Sequence, residues 1–188
     1  MSNKALSGAV VFLLLLSLPA HTQKKPFQEQ TEFSCEQDTV GAPIRRPVRI
    51  PPPVLELLTS SENARTCERS GSGLLPADWF IASEIHLSGG KRADMIVQQR
   101  FLPEPRFSEN ECLFGGNIGP FWIFRRTLNG YEMVLDSRTH SLSILNTKTK
   151  GLRDIRVVSS SAAQFTETTL KFDGKKYTAA KSKTESIK

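Results

Sequence analysis

Asp94 and Asp154 are the two carboxylates of this sequence whose placement could support acid–base chemistry. Each follows a polar turn and opens an apolar segment, Asp94-Met-Ile-Val97 in one case and Asp154-Ile-Arg-Val157 in the other. A general acid and a general base must face the same pocket. An aspartate beside a turn commonly accepts hydrogen bonds from the backbone N–H groups of that turn instead. We therefore interpret both as structural residues and predict no catalytic residue.

Two other groups could act as a base or a nucleophile, and their surroundings argue against both roles. His140 lies in Asp136-Ser-Arg-Thr-His-Ser141, where one short turn does not place three side chains around a substrate. The sequence contains no G-x-S-x-G nucleophile elbow. Cys35 lies in an acidic stretch, whereas a reactive thiolate needs electropositive surroundings. These observations favour a protein that is not an enzyme and holds no cofactor.

The cysteines are Cys35, Cys67 and Cys112. Their wide spacing matches no zinc-binding pattern, so we predict no metal site. In an oxidising compartment one disulfide is expected, and one cysteine is left over. We favour Cys67–Cys112, because both cysteines fall in the region that we expect to fold. Cys35–Cys67 remains the alternative.

The first twenty-two residues have the layout of a secretory signal peptide. Lys4 supplies a positive charge, Ala9–Leu18 is apolar, and Pro19–Thr22 contains mostly small residues. The apolar run is too short to span a bilayer as a stable helix. The sequence therefore predicts an exported protein, periplasmic or extracellular, without a membrane span.

Trp122, Phe124 and Arg126 form our candidate binding surface. They share one face of a predicted strand, and Phe121, Ile123 and Arg125 share the opposite face. A planar aromatic on an exposed strand face could stack on a sugar ring. Burial in the core is the commoner fate of aromatics in a small β domain.

The elements around these residues are mainly strands. Residues 23–50 are polar and contain prolines, which predicts a flexible linker. Prolines 51–53 introduce one short helix over about 53–64. Alternating apolar residues and Asn-Gly and Asp-Gly turns then predict about eight antiparallel strands, in a meander or a compact sandwich. The loop 99–120 is long, and Cys112 would tie it down. We place a single domain over 51–178 and a polar tail over 179–188.

One segment resembles a known repeat. His86-Leu-Ser-Gly-Gly-Lys-Arg-Ala-Asp-Met-Ile-Val97 is echoed by Thr147–Val157, with Asp94 matching Asp154. The first copy resembles the loop-and-strand element of bacterial FG-GAP/VCBS-type repeats, over about 25 residues. This resemblance implies a meander like a propeller blade. The loop positions that bind calcium in that family are His86, Ser88 and Gly90 here, which argues against calcium.

The net charge of +6 makes the chain mildly basic. Nucleic-acid binding would need a face on which basic residues alternate with exposed aromatics, and the sequence shows no such face, so we predict no nucleic-acid partner. Our first interpretation is a monomeric, non-enzymatic exported domain that binds a protein or an envelope polymer. The first alternative is an inhibitor of an extracellular hydrolase such as lysozyme. It would insert the 99–120 loop or Ser70-Gly-Ser-Gly73, which resembles a short loop of periplasmic lysozyme inhibitors. The second alternative is a hydrolase that uses Asp94 and Asp154.

Overall fold

The structure is a computed structural model that describes residues 29–35, 43–67, 74–90, 92–115 and 118–186. Two antiparallel sheets form a sandwich-like fold, which confirms the mainly β prediction. The large sheet has the order β1-β6-β7-β8-β9, and the small sheet has the order β2-β3-β4-β5. The strands are β1 Glu32–Ser34, β2 Phe80–Ile85, β3 Asp94–Gln99, β4 Gly119–Thr127, β5 Gly130–Thr139, β6 Ser141–Thr149, β7 Leu152–Ser160, β8 Gln164–Phe172 and β9 Tyr177–Ser186.

The first core lies between the two sheets, where alternate strand residues point inward. The small sheet contributes Ile96, Phe121 and Ile123, all of which are fully buried. The large sheet contributes the apolar residues Phe33, Leu142, Ile144, Ile155 and Leu170, among others. This packing explains the alternation of apolar and polar residues in the predicted strands.

A second core covers the opposite face of the small sheet. The helices α1 Pro52–Thr59 and α2 Glu62–Arg65 lie over this face, together with the loop that follows β3. Val54 and Leu58 of α1 pack with Trp122 and Phe124, which are 0 % exposed. Strand β4 is therefore buried on both faces, and this accounts for its unbroken apolar run.

Ser61 divides the helical segment into two helices, where the sequence predicts one. Pro52 begins α1 with a fixed φ, and Ser60 ends it. The Ser61 hydroxyl then caps α2 by accepting a hydrogen bond from the Ala64 N–H at 3.2 Å. The same hydroxyl accepts the Trp122 indole N–H at 2.8 Å. One side chain thus joins the helices to the small sheet.

Four turns meet at one end of the sandwich, which we call the hairpin end: those between β2 and β3, β4 and β5, β6 and β7, and β8 and β9. The Lys148 amine donates to the Ser88 carbonyl at 2.8 Å, which links the turns of different sheets. The Arg153 N–H donates to the Leu87 carbonyl at 2.9 Å. The long connection from β3 to β4 lies at the opposite end, which we call the loop end.

The disulfide Cys67–Cys112 is present, as predicted, with 5.2 Å between the Cα atoms. It ties the 99–120 loop to the end of α2. Cys35 is a buried thiol, 7 % exposed. Among the described residues, no helix is long and apolar enough to cross a membrane. The signal-peptide prediction, residues 1–22, and the Ser70–Gly73 loop lie outside the described residues.

The structure differs from the sequence prediction at both ends of the domain. Strand β1 lies inside the predicted linker 23–50 and pairs with β6, because Phe33 fills the core at 1 % exposure. Strand β9 runs through most of the predicted tail 179–188 and pairs with β8 as far as Ser186. Its residues 178–186 are exposed, so this strand has the polar composition of a tail.

Candidate functional site

Asp94 is buried at 4 % exposure and joins two elements. Its Oδ2 accepts the Leu87 N–H of its own turn at 2.9 Å. Its Oδ1 accepts the Arg126 N–H of β4 at 2.9 Å. Burial raises the pKa of Asp94, and the two backbone N–H groups partly oppose this. The carboxylate fastens the β2–β3 turn to β4, and these two bonds occupy both of its oxygens.

Asp154 is also 4 % exposed and bonds within its own hairpin. Its Oδ2 accepts the Thr147 hydroxyl at 2.8 Å, so its partner is a side chain and not the backbone N–H that we expected. Its Oδ1 is buried without a hydrogen-bond partner among the described residues. Tyr177 lies near both aspartates, and its pKa is raised by burial first and then by their charges. Because Asp94 and Asp154 are buried, neither carboxylate presents itself to a substrate.

In the segment 136–141, to which the sequence assigns no catalytic role, the carboxylate of Asp136 makes structural contacts. Both oxygens of Asp136 accept hydrogen bonds from Asn63, at 2.6 Å from the side-chain amide and 3.3 Å from the backbone N–H. Asp136 therefore holds α2 against β5. This is a structural role.

The fold separates the members of the candidate binding surface, Trp122, Phe124 and Arg126. The three residues share one face, as alternation predicts. Trp122 and Phe124 cannot contact a ligand, because the helices cover them completely. Arg126 lies beyond the helices, near the hairpin end, and is exposed.

Arg126 lines an open groove of about 530 Å³ on the uncovered end of that face. Its guanidinium carbon lies 4.6 Å from the centre of the Tyr131 ring, and its Nη1 donates to the Tyr131 hydroxyl. Stacking and hydrogen bonding together fix the direction of a long side chain that would otherwise be mobile. The full lining is Glu84, His86, Arg92, Ala93, Arg126, Thr127, Leu128 and Tyr131.

The groove is one part of the hairpin end where the positive charge of arginine is available. Two other arginines at this end have carboxylate partners: Arg153 binds Glu29 at 2.9 Å and Arg125 binds Glu132 at 3.1 Å. Within the described part of the chain, neither Arg92 nor Arg126 has a carboxylate partner. Two guanidinium groups in one groove can therefore receive an anion.

A second concavity, of about 460 Å³, lies at the loop end beside the disulfide. Glu109 and Glu111 line it together with Trp79. Arg106 binds Glu109 through two hydrogen bonds of 2.8 and 2.7 Å, and this lowers the pKa of Glu109. A general acid needs a raised pKa, and Arg106 changes the pKa of Glu109 in the opposite direction.

The chain matches no protein-family model, and comparison with curated proteins and with solved structures found no match. The FG-GAP/VCBS resemblance stays a prediction. The groove therefore has to be interpreted from its own residues.

Sequence reasoning identified Arg126 and missed His86, Arg92 and Tyr131 as its neighbours. These residues come from three different strand ends, and only the sheet register brings them together: Arg126 pairs with Tyr131 across β4 and β5. An Arg and a Tyr five positions apart around an Asn-Gly turn are the sequence signal that could have indicated this pair.

Proposed function

We propose that this protein is an exported, non-enzymatic binding domain that holds an anionic partner in the hairpin-end groove. One observation carries the proposal: Arg92 and Arg126 line the same groove without a carboxylate partner among the described residues, and Arg126 is already positioned on Tyr131.

Preorganisation is the physical reason to assign binding to this groove. Ordering a long side chain at an interface costs about 0.5–1.5 kcal/mol, and the Tyr131 ring has already ordered Arg126. Arginine and tyrosine are also enriched among the residues that dominate binding energy at interfaces. The planar guanidinium suits carboxylate, sulfate or phosphate groups, which it can bind through two parallel hydrogen bonds.

Two observations support the other parts of the proposal. The carboxylates with which a hydrolase could be built, Asp94 and Asp154, are buried and engaged inside the fold. A structural disulfide is typical of exported proteins, so Cys67–Cys112 supports export. The inhibitor alternative remains a prediction that no described contact favours.

The test is a binding assay with two labelled polyanions, poly-L-glutamate and dextran sulfate, followed by fluorescence anisotropy. The double variant Arg92→Gln/Arg126→Gln should bind at least one of them about tenfold more weakly than the wild type, because each exposed charge contact contributes on the order of 0.5–1 kcal/mol.

The matched control is Lys181→Gln/Lys183→Gln, which removes the same charge from β9. These lysines lie roughly 15–20 Å along the strand from the hairpin end. The control should bind within about twofold of the wild type, a difference below 0.5 kcal/mol. Equal losses in both double variants would mean that net charge alone attracts the polyanions, and the proposal would be wrong.

A further inference from the structure

Leu128 is an apolar side chain at a position where a polar one is expected. It lies in the turn between β4 and β5 and is 84 % exposed, compared with 56 % for Leu74 and 37 % for Phe165. Turns of this kind usually carry Gly, Asn, Asp or Ser. A single exposed leucine needs no explanation by itself. Leu128, however, lines the same groove as the two arginines.

The groove also contains a negative charge. The Glu84 carboxylate lines it together with Arg92 and Arg126. A polymer that repeats one kind of anionic group would place further negative charges near Glu84, and it would leave Leu128 in water. A ligand with one carboxylate, an apolar side chain and backbone N–H donors suits all four residues. The carboxylate would bind the two arginines, the apolar side chain would contact Leu128, and an N–H group would donate to Glu84.

We infer that the partner is an acidic peptide segment in which an aliphatic side chain lies two positions from a carboxylate, so that the carboxylate binds Arg92 and Arg126 while the aliphatic side chain contacts Leu128. This inference rests on the proposed function and names the class of ligand. Leu128 follows Arg126 by two positions, in the turn beyond β4, and both side chains line the groove. Side chains two positions apart on an extended peptide lie on one side, about 6.6 Å apart, so one peptide segment can present both groups to the groove.

The experiment compares three labelled probes by fluorescence anisotropy. The first is the peptide Glu-Ser-Leu-Ser-Glu-Ser-Leu-Ser, the second is the same peptide with serine in place of leucine, and the third is inorganic polyphosphate of similar charge. The wild type should bind the leucine peptide about tenfold more tightly than the serine peptide, which corresponds to about 1.4 kcal/mol.

Leu128→Ser should remove this preference and leave the two peptides within about twofold of each other, or about 0.4 kcal/mol. Leu74→Ser is the matched control, because it removes an exposed leucine that does not line the groove, and it should keep the tenfold preference. Since Leu128 is exposed, we expect the variant to fold, and its thermal unfolding should match that of the wild type.

Failure of this inference and failure of the proposed function give different results. If polyphosphate binds as tightly as the leucine peptide, or if Leu128→Ser keeps the preference, the peptide class is wrong although the groove still binds anions. If Arg92→Gln/Arg126→Gln changes the affinity for none of the three probes, the proposed function itself is wrong.

Discussion

The Ser61 hydroxyl gives the sharpest stability prediction, because two buried donors depend on it. It caps α2 through the Ala64 N–H and accepts the Trp122 indole N–H, and Ser61 itself is 2 % exposed. Losing a helix cap costs about 1 kcal/mol. Leaving a buried N–H without an acceptor costs about 1–3 kcal/mol. Ser61→Ala should therefore lower the free energy of unfolding by about 2–4 kcal/mol.

Ser60→Ala is the matched control, one position earlier. Its hydroxyl donates to the Leu57 carbonyl at 2.8 Å on the exposed side of the helix, so its loss should cost less than about 0.5 kcal/mol. Urea unfolding followed by tryptophan fluorescence measures both variants. A Ser61→Ala variant as stable as Ser60→Ala would refute the link between the helices and the small sheet.

Three further predictions concern other parts of the fold. Reducing Cys67–Cys112 should lower the free energy of unfolding by about 4 kcal/mol, because the unfolded chain regains the entropy of a loop that spans 45 residues. Urea unfolding with and without reductant measures this loss, and a loss below about 1 kcal/mol would contradict the prediction. Lys150 has φ 48° in a two-residue turn, a backbone conformation that asparagine adopts with less strain than lysine. Lys150→Asn should therefore raise the free energy of unfolding, measured in urea, by about 0.5–1 kcal/mol, whereas Lys148→Asn should not. Equal effects of the two substitutions would argue against relief of strain. Since burial raises the pKa of Asp94, the native state holds the Asp94 proton more tightly than the unfolded state does. The stability that this bound proton adds to the native state is lost as the pH rises through the native pKa. The stability of the wild type relative to Asp94→Asn should therefore fall as the pH rises above the ordinary value of 3.8, and a relative stability that grows with pH would be the opposite result.

The hairpins were predictable because their residues carry both required signals. Strands such as β6 and β8 place apolar residues at alternate positions, and Gly130 and Gly174 provide positive φ at hairpin turns. Strands β1 and β9 were not predictable in this way. β1 has only three residues and depends on Phe33, and β9 lies mostly beyond the core and needs no apolar side chains.

The candidate site was harder to predict, because alternation reports which residues share a face and not what covers that face. Trp122, Phe124 and Arg126 share one face of β4, but the helices bury Trp122 and Phe124. The continuous apolar run of β4 is the clue that both faces of the strand are covered. The neighbours of Arg126 come from separate strand ends, and their meeting depends on the register of the whole small sheet.

The proposed binding of anions at the hairpin-end groove is tested most directly by following backbone amide NMR signals during a titration with poly-L-glutamate. We expect the shifts to be concentrated in residues 84–93 and 126–131, with little change in the β8–β9 ribbon over 164–168 and 181–186. Shifts concentrated in that ribbon, or around the loop-end concavity over 106–112, would contradict the account.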